Sequence, residues 1–290
     1  MMEAGSADRV AQSEELNFVA FAQDPAYRET NRQLLTRVLD GLPSPFFHID
    51  VASGTGLVAQ EMCALCEKHG RTGTVIGIDP DGFAVESASA TTPSTAHCTV
   101  EFVQGKAQDL HQLLAGKIPT DGVDYVSIHD ALHEIDEADK QDVIRSMVDV
   151  LRPGGLFSYN SAFTTIAMDE CPMVWGRIKS KAISILGGKR DRNAQGFVVH
   201  TPEEYRQMLV DAGLAVIHEA RRSVMMSRAA LEAIARYPQF AFGVFVDMVD
   251  TEQVSIQQKS QAIIQAIHEL GVTESLRIWH EIVAQKPARA

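Results

Sequence analysis

Ten residues, His48-Ile49-Asp50-Val51-Ala52-Ser53-Gly54-Thr55-Gly56-Leu57, constrain the fold more than any other part of the chain. An apolar run through Phe46, Phe47, Ile49 and Val51 stops at small residues, and an amphipathic segment from Leu57 to His69 follows. That order predicts a buried strand, a tight glycine turn and a helix. Gly54 and Gly56 lack a Cβ, so the backbone there can enter the left-handed region and come close to a ligand. A helix opening at such a turn also directs unpaired N–H groups at whatever occupies it. Alone this is a weak nucleotide-loop signal. An acid at a strand tip about 25 positions on, Asp79, narrows it.

The rest of the chain supplies the sheet that such a turn needs. Gly73–Ile78 predicts a second strand ending at Asp79-Pro80-Asp81, Thr99–Val103 a third and Val123–Ile128 a fourth. Leu156–Asn160 reads as a fifth and Leu214–Ala220 as a sixth. Ser275–Ala284, with Trp279, reads as the last, with a short terminal helix as its rival. Between them lie helical periodicities. Leu34, Leu35, Val38, Leu39 and Leu42 mark a helix within residues 13–42, closed by Pro43 and Pro45, and Val143, Ile144, Met147 and Val148 mark another over Ala138–Leu151. Strands and helices in this alternation form an α/β domain with a mostly parallel sheet covered on both faces. Ligands bind such sheets at the carboxyl ends of the strands.

Composition excludes other classes. A formal charge of −12 repels nucleic acid and anionic membrane alike, which leaves a small molecule as the expected partner. No apolar run reaches the roughly 18 residues of a membrane span. The first residues show neither the basic region nor the apolar core of a secretory signal. Cys63, Cys66, Cys98 and Cys171 make no disulfide framework, so a reducing cytoplasm is the expected setting. Cys63, Cys66 and His69 share a helix but have no second ligand pair, so they read as buried cysteines and no metal site is expected.

Several segments together resemble the class I S-adenosylmethionine-dependent methyltransferases, in particular the small-molecule branch of ubiquinone/menaquinone-type and natural-product enzymes. Asp50-Val51-Ala52-Ser53-Gly54-Thr55-Gly56 is similar to the family's acidic glycine turn, with Ala52 for the first glycine. Asp79 resembles the ribose-binding acid, with Pro80 beside it. Gly105-Lys106-Ala107-Gln108-Asp109-Leu110 resembles the segment beside the adenine, with Lys106 where the family often has an acid. Leu151-Arg152-Pro153-Gly154-Gly155 is similar to the turn before the fifth strand. Four motifs in order, over roughly residues 45–222, are far more specific than any one of them. The resemblance implies a Rossmann-like seven-stranded, mostly parallel sheet with helical cap insertions and S-adenosyl-L-methionine as cofactor. It implies a cofactor site at Asp50, Ala52, Gly54, Gly56, Asp79, Pro80, Lys106, Ala107, Gln108 and His129. A dinucleotide fold is the nearest competitor, but its third glycine is missing.

Methyl transfer from a sulfonium is an in-line displacement, so catalysis is mostly placement of the acceptor. A base is needed where the acceptor must lose a proton. His129, Asp130, His133 and Glu134 follow the fourth strand, and His133 resembles the base of related natural-product enzymes; an imidazole, titrating near about 6.5, suits the task. Shaping the pocket is the alternative role. Glu170 is a second catalytic candidate, as a base or, with Asp169, as a Mg²⁺ ligand, against a plainer reading as an acidic helix start. His129 is the third. Tyr27, Trp175 and Phe242 are aromatic candidates for contact with the acceptor.

The expected organisation is an N-terminal helical cap at 1–44, a core at 45–226 with a lid at 161–200, a helical insertion at 227–272 and a final core strand at 273–290. A helix runs from Met168 to Leu186 within the lid; Lys179, Lys181, Lys189, Arg190 and Arg192 are the candidates for a local basic patch, and the basic loop Gly187–Arg192 reads as a clamp for an anionic substrate or as a solvated hinge. Leu231, Ile234, Phe240–Val246 and the Ile263, Ile264, Ile267, Leu270 stripe make the insertion apolar, which suits a cap, a homo-oligomer interface or edge packing. The reaction expected is methyl transfer to O or C of a small, largely apolar metabolite. The alternatives are a non-methylating cofactor-binding protein, such as a cyclase or binding module, and an NAD-dependent oxidoreductase.

Overall fold

The structure is a computed structural model and describes residues 16–169, 172–191, 194 and 198–288. The chain divides into two compact units. A sheet unit holds Tyr27–Met168, Val199–Ser223 and Ile278–Ala290, and a helical unit holds Met1–Ala26, Asp169–Val198 and Val224–Arg277.

In the sheet unit the strands are β1 (Phe46–Val51), β2 (Gly73–Asp79), β3 (Cys98–Gln104), β4 (Val123–His129) and β5 (Leu151–Ser161), with β6 (Ala215–Ser227) and β7 (Glu274–Gln285) continuing into the helical unit. They form a seven-stranded sheet in the order β3-β2-β1-β4-β5-β7-β6. β1, β2, β3, β4 and β5 pair in parallel, and β7 runs antiparallel to β5. The order reverses between β1 and β4, so the carboxyl ends of those strands open the crevice where sheets of this kind take their ligands.

Helix α1 (Val19–Ala22) precedes α2 (Pro25–Leu39), and α3 (Leu57–His69), α4 (Gly82–Thr91), α5 (Leu110–Leu113) and α6 (Lys140–Val150) alternate with the strands. The described part of the segment expected to be helical over 13–42 therefore holds two helices. Asp24 Oδ1 accepts from Ala26 N–H, and Pro25, which has no N–H, opens the second helix. The division of units falls before Tyr27 rather than at residue 44. The reason is that Leu34 and Leu35 are fully buried and Arg28 and Arg32 pair with Glu61 of α3 at 2.5 and 2.6 Å. Glu61 is 1 % exposed, and stripping such a carboxylate of its partners typically costs about 3–5 kcal/mol.

The two faces of the central strands differ. Ile49, Val51, Ile76, Ile78, Val126 and Ile128 alternate onto one face, in a core completed by Val143, Ile144 and Met147 of α6. Six such side chains contribute on the order of 10 kcal/mol by burial. The same alternation puts His48, Asp50, Tyr125, Ser127, His129, Ser158 and Asn160 on the other face, where all seven are buried as well. The first face is oil. The second is a polar seam.

The helical unit contains α7's last residue and α8 (Pro172–Ile185), α10 (Arg228–Ala235), α11 (Pro238–Val244) and α12 (Ile256–Glu269); α7 itself is Thr165–Asp169, and α9 (Pro202–Asp211) belongs to the sheet unit. The helix expected from Met168 to Leu186 lies on α7 and α8 over the described residues, with Glu170 and Cys171 outside them. Thr201 and Glu204 form a full capping box with Pro202 at the first position of α9, and Ser255 and Gln258 do the same for α12. The stretch at 275–284 is a strand, and β6 continues to Ser227, seven residues past the expected end at Ala220.

Three members of the basic patch are already paired inside the helical unit. Lys179 and Arg190 both reach Asp247, at 2.9 and 2.6 Å, and Lys181 reaches Glu269 at 2.6 Å. An anion clamp there would first have to displace those carboxylates; Arg192 lies outside the described residues. Among the described residues, no helix is long and apolar enough to cross a membrane.

Candidate functional site

The glycine turn is built by left-handed backbone at alternate residues. Ala52, Gly54 and Gly56 have φ of 55°, 51° and 86°. A Cβ on Gly56 would meet Phe102 Cζ at 2.9 Å and Thr92 Oγ1 at 3.0 Å, so close packing excludes a side chain there. A Cβ on Gly54 would meet nothing within 4 Å; the space beside that residue is open. Ala52 carries its Cβ in a conformation that costs an L-residue about 1–2 kcal/mol. The alanine substitution for glycine is therefore a strained one, not the neutral exchange its small size suggests.

Asp79 ties three loops together. Its Oδ2 accepts from Gly54 N–H at 2.8 Å, its Oδ1 from Asp81 N–H at 2.9 Å, and its carbonyl from Gly105 N–H at 2.9 Å. Burial raises its carboxyl above the ordinary range, and the two N–H groups oppose that shift. It is 8 % exposed at the tip of β2, with lone pairs left for a further donor.

Asp50 is different. Ser127 Oγ donates to its Oδ1 at 2.6 Å, while Oδ2 is buried with no hydrogen-bond partner in the protein. Burial pushes the carboxyl up to about 7. The hydrogen bond from Ser127 opposes this, and the Asp79 charge adds to it. An orphaned carboxylate oxygen beside a glycine turn suits a cationic group such as an amino acid's ammonium.

The other cofactor candidates line the neighbouring loops. Pro80 and Lys106 are exposed; the Pro80 carbonyl accepts from Gln104, and Lys106 is followed by a short turn at Ala107–Asp109. The Ala107 carbonyl accepts from Ser146 Oγ at 2.7 Å, and the exposed Gln108 side chain donates to Asp139.

The histidines divide. The His129 ring lies in the seam, 7 % exposed, with Nδ1 on Asn31 Oδ1 at 2.9 Å and Nε2 on Ser158 Oγ at 2.7 Å. Burial drops its pKa to about 3, so it is neutral, and both nitrogens are occupied. That arrangement does not suit a catalytic base or a direct cofactor ligand. His133 lies at the other side of the strand end. Its ring stacks on Phe163 with centroids 3.9 Å apart, its side chain is 16 % exposed, and Nε2 is 3.9 Å from Glu134 Oε1. Asp130 between them sits at φ 52° and accepts from Ala162 N–H, which fixes the loop after β4 to that after β5.

Tyr27 is buried in the sheet unit, 6.2 Å from Trp279 between ring centroids; burial raises its pKa, and the charges of Asp130, Asp50 and Glu134 add to the shift. Trp175 belongs to the helical unit, 8 % exposed, with Phe240 edge-on at 5.1 Å and Arg277 over its face. Phe242, in the same unit, is 45 % exposed beneath Lys259 Nζ. Glu170 lies outside the described residues. Cys63 and Cys66 are buried while His69 is exposed, and among the described residues no three metal-type side chains come together. Sequence reasoning missed Asn31, His48, Tyr125, Ser127, Ser158 and Phe163; the signal for four of them was a polar side chain at every second place in apolar strands.

Residues 49–155 match a family model described as a methyltransferase domain. No curated protein matches the chain. Among solved structures, a SAM-dependent methyltransferase from Methanosarcina mazei shares 15 % identity over 87 % of this chain and 98 % of its own, with a TM-score of 0.51. The N-methyltransferase NodS from Bradyrhizobium japonicum, in complex with S-adenosyl-L-homocysteine, shares 13 % identity over 91 % and 89 %, with a TM-score of 0.51. The [4+2]-cyclase SpnF shares 18 % over 89 % and 82 %, with a TM-score of 0.50. At these identities the likeness is one of fold, and the domain match carries the activity. Residues 49–155 are thus a methyltransferase domain, carried on a fold shared with S-adenosylmethionine-dependent methyltransferases.

Proposed function

We propose that the enzyme methylates oxygen or carbon of a small, largely apolar metabolite, with His133 as the base. The observation that carries this reading is the imidazole of His133 stacked on Phe163 beyond the carboxyl ends of β4 and β5, the same end of the sheet as the glycine turn. A proton acceptor flanked by an aromatic face suits an acceptor that is apolar except at its reacting atom.

The residues fit the cofactor on two observations: the orphaned Asp50 Oδ2, and the open space beside Gly54 where the backbone turns left-handed. Asp50 would receive the ammonium, and Ala52, Gly54 and Gly56 the methionine backbone. Asp79 and Pro80 would flank the ribose, and Lys106, Ala107 and Gln108 the adenine. Bound S-adenosylmethionine supplies a methyl group on a positively charged sulfur. His133 would take the proton of a hydroxyl or carbon acid at Nε2 or Nδ1, with the Glu134 carboxylate 3.9 Å from Nε2 favouring the imidazolium that results. Tyr27 is the aromatic residue of the sheet unit proposed for the acceptor. The acidic surface, with a charge of −12, supports a small-molecule partner over nucleic acid, and natural-product biosynthesis in the cytoplasm is the setting the reading implies. A homo-oligomer built on the helical insertion belongs to the same reading.

The test is mass-spectrometric detection of methyl transfer to a panel of phenols, enols and carboxylic acids. With an acceptor in hand, His133→Ala should lower kcat roughly 10²–10⁴-fold with S-adenosylhomocysteine affinity unchanged. Methyl transfer to amines or proteins alone, or full turnover in His133→Ala, overturns the proposal.

A further inference from the structure

Helix α12 carries a lysine where its own pattern calls for an apolar residue. Lys259, Ala262, Ile263, Ala266 and Ile267 recur at helical spacing along one face, and all five are buried. The helix packs against α8, α10 and α11, all of the helical unit. Lys259 is 2 % exposed. Among the described residues its Nζ makes no hydrogen bond and meets no carboxylate within 4.0 Å. What it meets is the Phe242 ring of α11, whose centroid is 5.3 Å from Nζ. A cation over an aromatic face is attracted to it, but that gain is a fraction of what a buried ammonium loses with its hydration. The first turn of a helix, with the positive end of its dipole, is a poor place for a cation as well. Lys179, Arg190 and Lys181 of the same unit, all more exposed, each reach a carboxylate, at 2.9, 2.6 and 2.6 Å. Lys259 alone of these four has no counter-charge in contact.

A buried charge without a partner is a cost that a ligand of opposite sign can remove. We propose that Lys259 and Phe242 form a binding site, within the helical unit, for a small organic carboxylate with an apolar body. The ammonium supplies the counter-charge, as a compact point charge with three donors. The Phe242 ring, 45 % exposed, offers apolar surface beside it for the body of the acid. Access follows from position. Lys259 is the last member of its stripe toward the start of α12, and Glu252, Gln253, Ser255, Gln257 and Gln258 just before it are exposed. It therefore stands at the rim of the packed face. One ammonium balances one negative charge, and the Glu252 carboxylate near enough to act on Lys259 penalises a second. A monoanionic carboxylate thus suits the site better than a phosphate, which carries close to two charges at neutral pH. Burial also lowers the Lys259 pKa, the direction expected of an ammonium lacking a close counter-ion, with the Glu252 charge opposing. The site is independent of the cofactor site and of the role given to His133.

The test is calorimetry on the full chain with benzoate, its neutral isostere benzamide, and phenyl phosphate. Benzoate should bind at least about tenfold more tightly than benzamide, the factor expected of a hydrogen bond to a charged group. Lys259→Met completes the apolar stripe, so the variant should fold with a higher urea midpoint than the wild type while its benzoate affinity falls by about tenfold or more. Phe242→Ala should weaken benzoate severalfold. Labelling with acetic anhydride, read by peptide mass spectrometry, locates the binding: benzoate should protect Lys259 and benzamide should not, with the exposed Lys68 of the sheet unit labelled equally in both. Equal binding of benzoate and benzamide, unchanged benzoate affinity in Lys259→Met, no protection of Lys259, or no binding of any probe overturns the site. Phenyl phosphate binding more tightly than benzoate overturns the choice of a carboxylate.

Discussion

Asp50 and Asp79 are both buried carboxylates at the carboxyl ends of adjacent parallel strands, yet the two regions are built to opposite rules. Asp79 holds a backbone N–H on each oxygen and draws the ends of β1, β2 and β3 into one surface. Asp50 accepts one hydroxyl and leaves an oxygen buried and unsatisfied. A structural acid is recognisable by how completely the protein satisfies it, and a binding acid by what it leaves undone.

The largest effect that separates them is the pH dependence of folding. The Asp50 pKa is raised from 3.8 in the unfolded chain to about 7, so the protonated form is favoured in the fold. Stability from this group is fully present below pH 3.8 and is lost as pH rises through about 7. The shift corresponds to roughly 4 kcal/mol at most. Asp50→Asn removes that dependence. Ligand-free Asp50→Asn should match the wild type near pH 4 and exceed it by a few kcal/mol at pH 8, as measured by urea unfolding. Equal stability at both pH values would mean that Asp50 is already satisfied and the contrast with Asp79 is wrong.

Asp79 differs in what the fold asks of it: burial raises its carboxyl too, but both of its oxygens hold backbone N–H groups. Asp79→Ala strands the N–H groups of Gly54 and Asp81 and should destabilise the protein by about 2–3 kcal/mol at pH 7. The midpoint of urea unfolding would fall in proportion. A loss of S-adenosylhomocysteine binding with no loss of stability would instead make Asp79 a ligand acid only, and would collapse the distinction.

How much of this was readable beforehand follows from the range of each interaction. The glycine turn and the Asp79 tip are signals within a few residues, and the mostly parallel sheet follows from the alternation of strands with helices. The polar seam was hidden because His48, Ser127 and Ser158 each occupy the alternate place that a one-sided strand gives to solvent. Only α2 and α3 packing on that face turns it inward, and Asn31 meets His129 across 98 residues. For the same reason position alone marked His129 as catalytic, while its ring direction is set by tertiary partners. The stack of His133 on Phe163 joins two loops that local pattern cannot bring together.

The smallest effect concerns the turn that joins the two acids. Ala52 holds φ at 55°, where glycine is free of strain. Relief of that strain favours Ala52→Gly by about 1 kcal/mol, against a loss of up to about 1 kcal/mol from the greater freedom of glycine in the unfolded chain. The net change in stability should lie within about 0.5 kcal/mol of zero, far from the roughly 2 kcal/mol destabilisation that glycine would bring if Ala52 were in ordinary backbone and tightly packed. Thermal unfolding of Ala52→Gly beside Gly54→Ala separates the cases. Gly54→Ala puts a side chain at φ 51° where nothing stands within 4 Å, so its penalty is strain alone, about 1–2 kcal/mol, with no clash added. S-adenosylhomocysteine should then resolve what stability does not. If the ligand occupies the open space at Gly54, that variant loses affinity well beyond its loss of stability, while Ala52→Gly leaves affinity within about twofold.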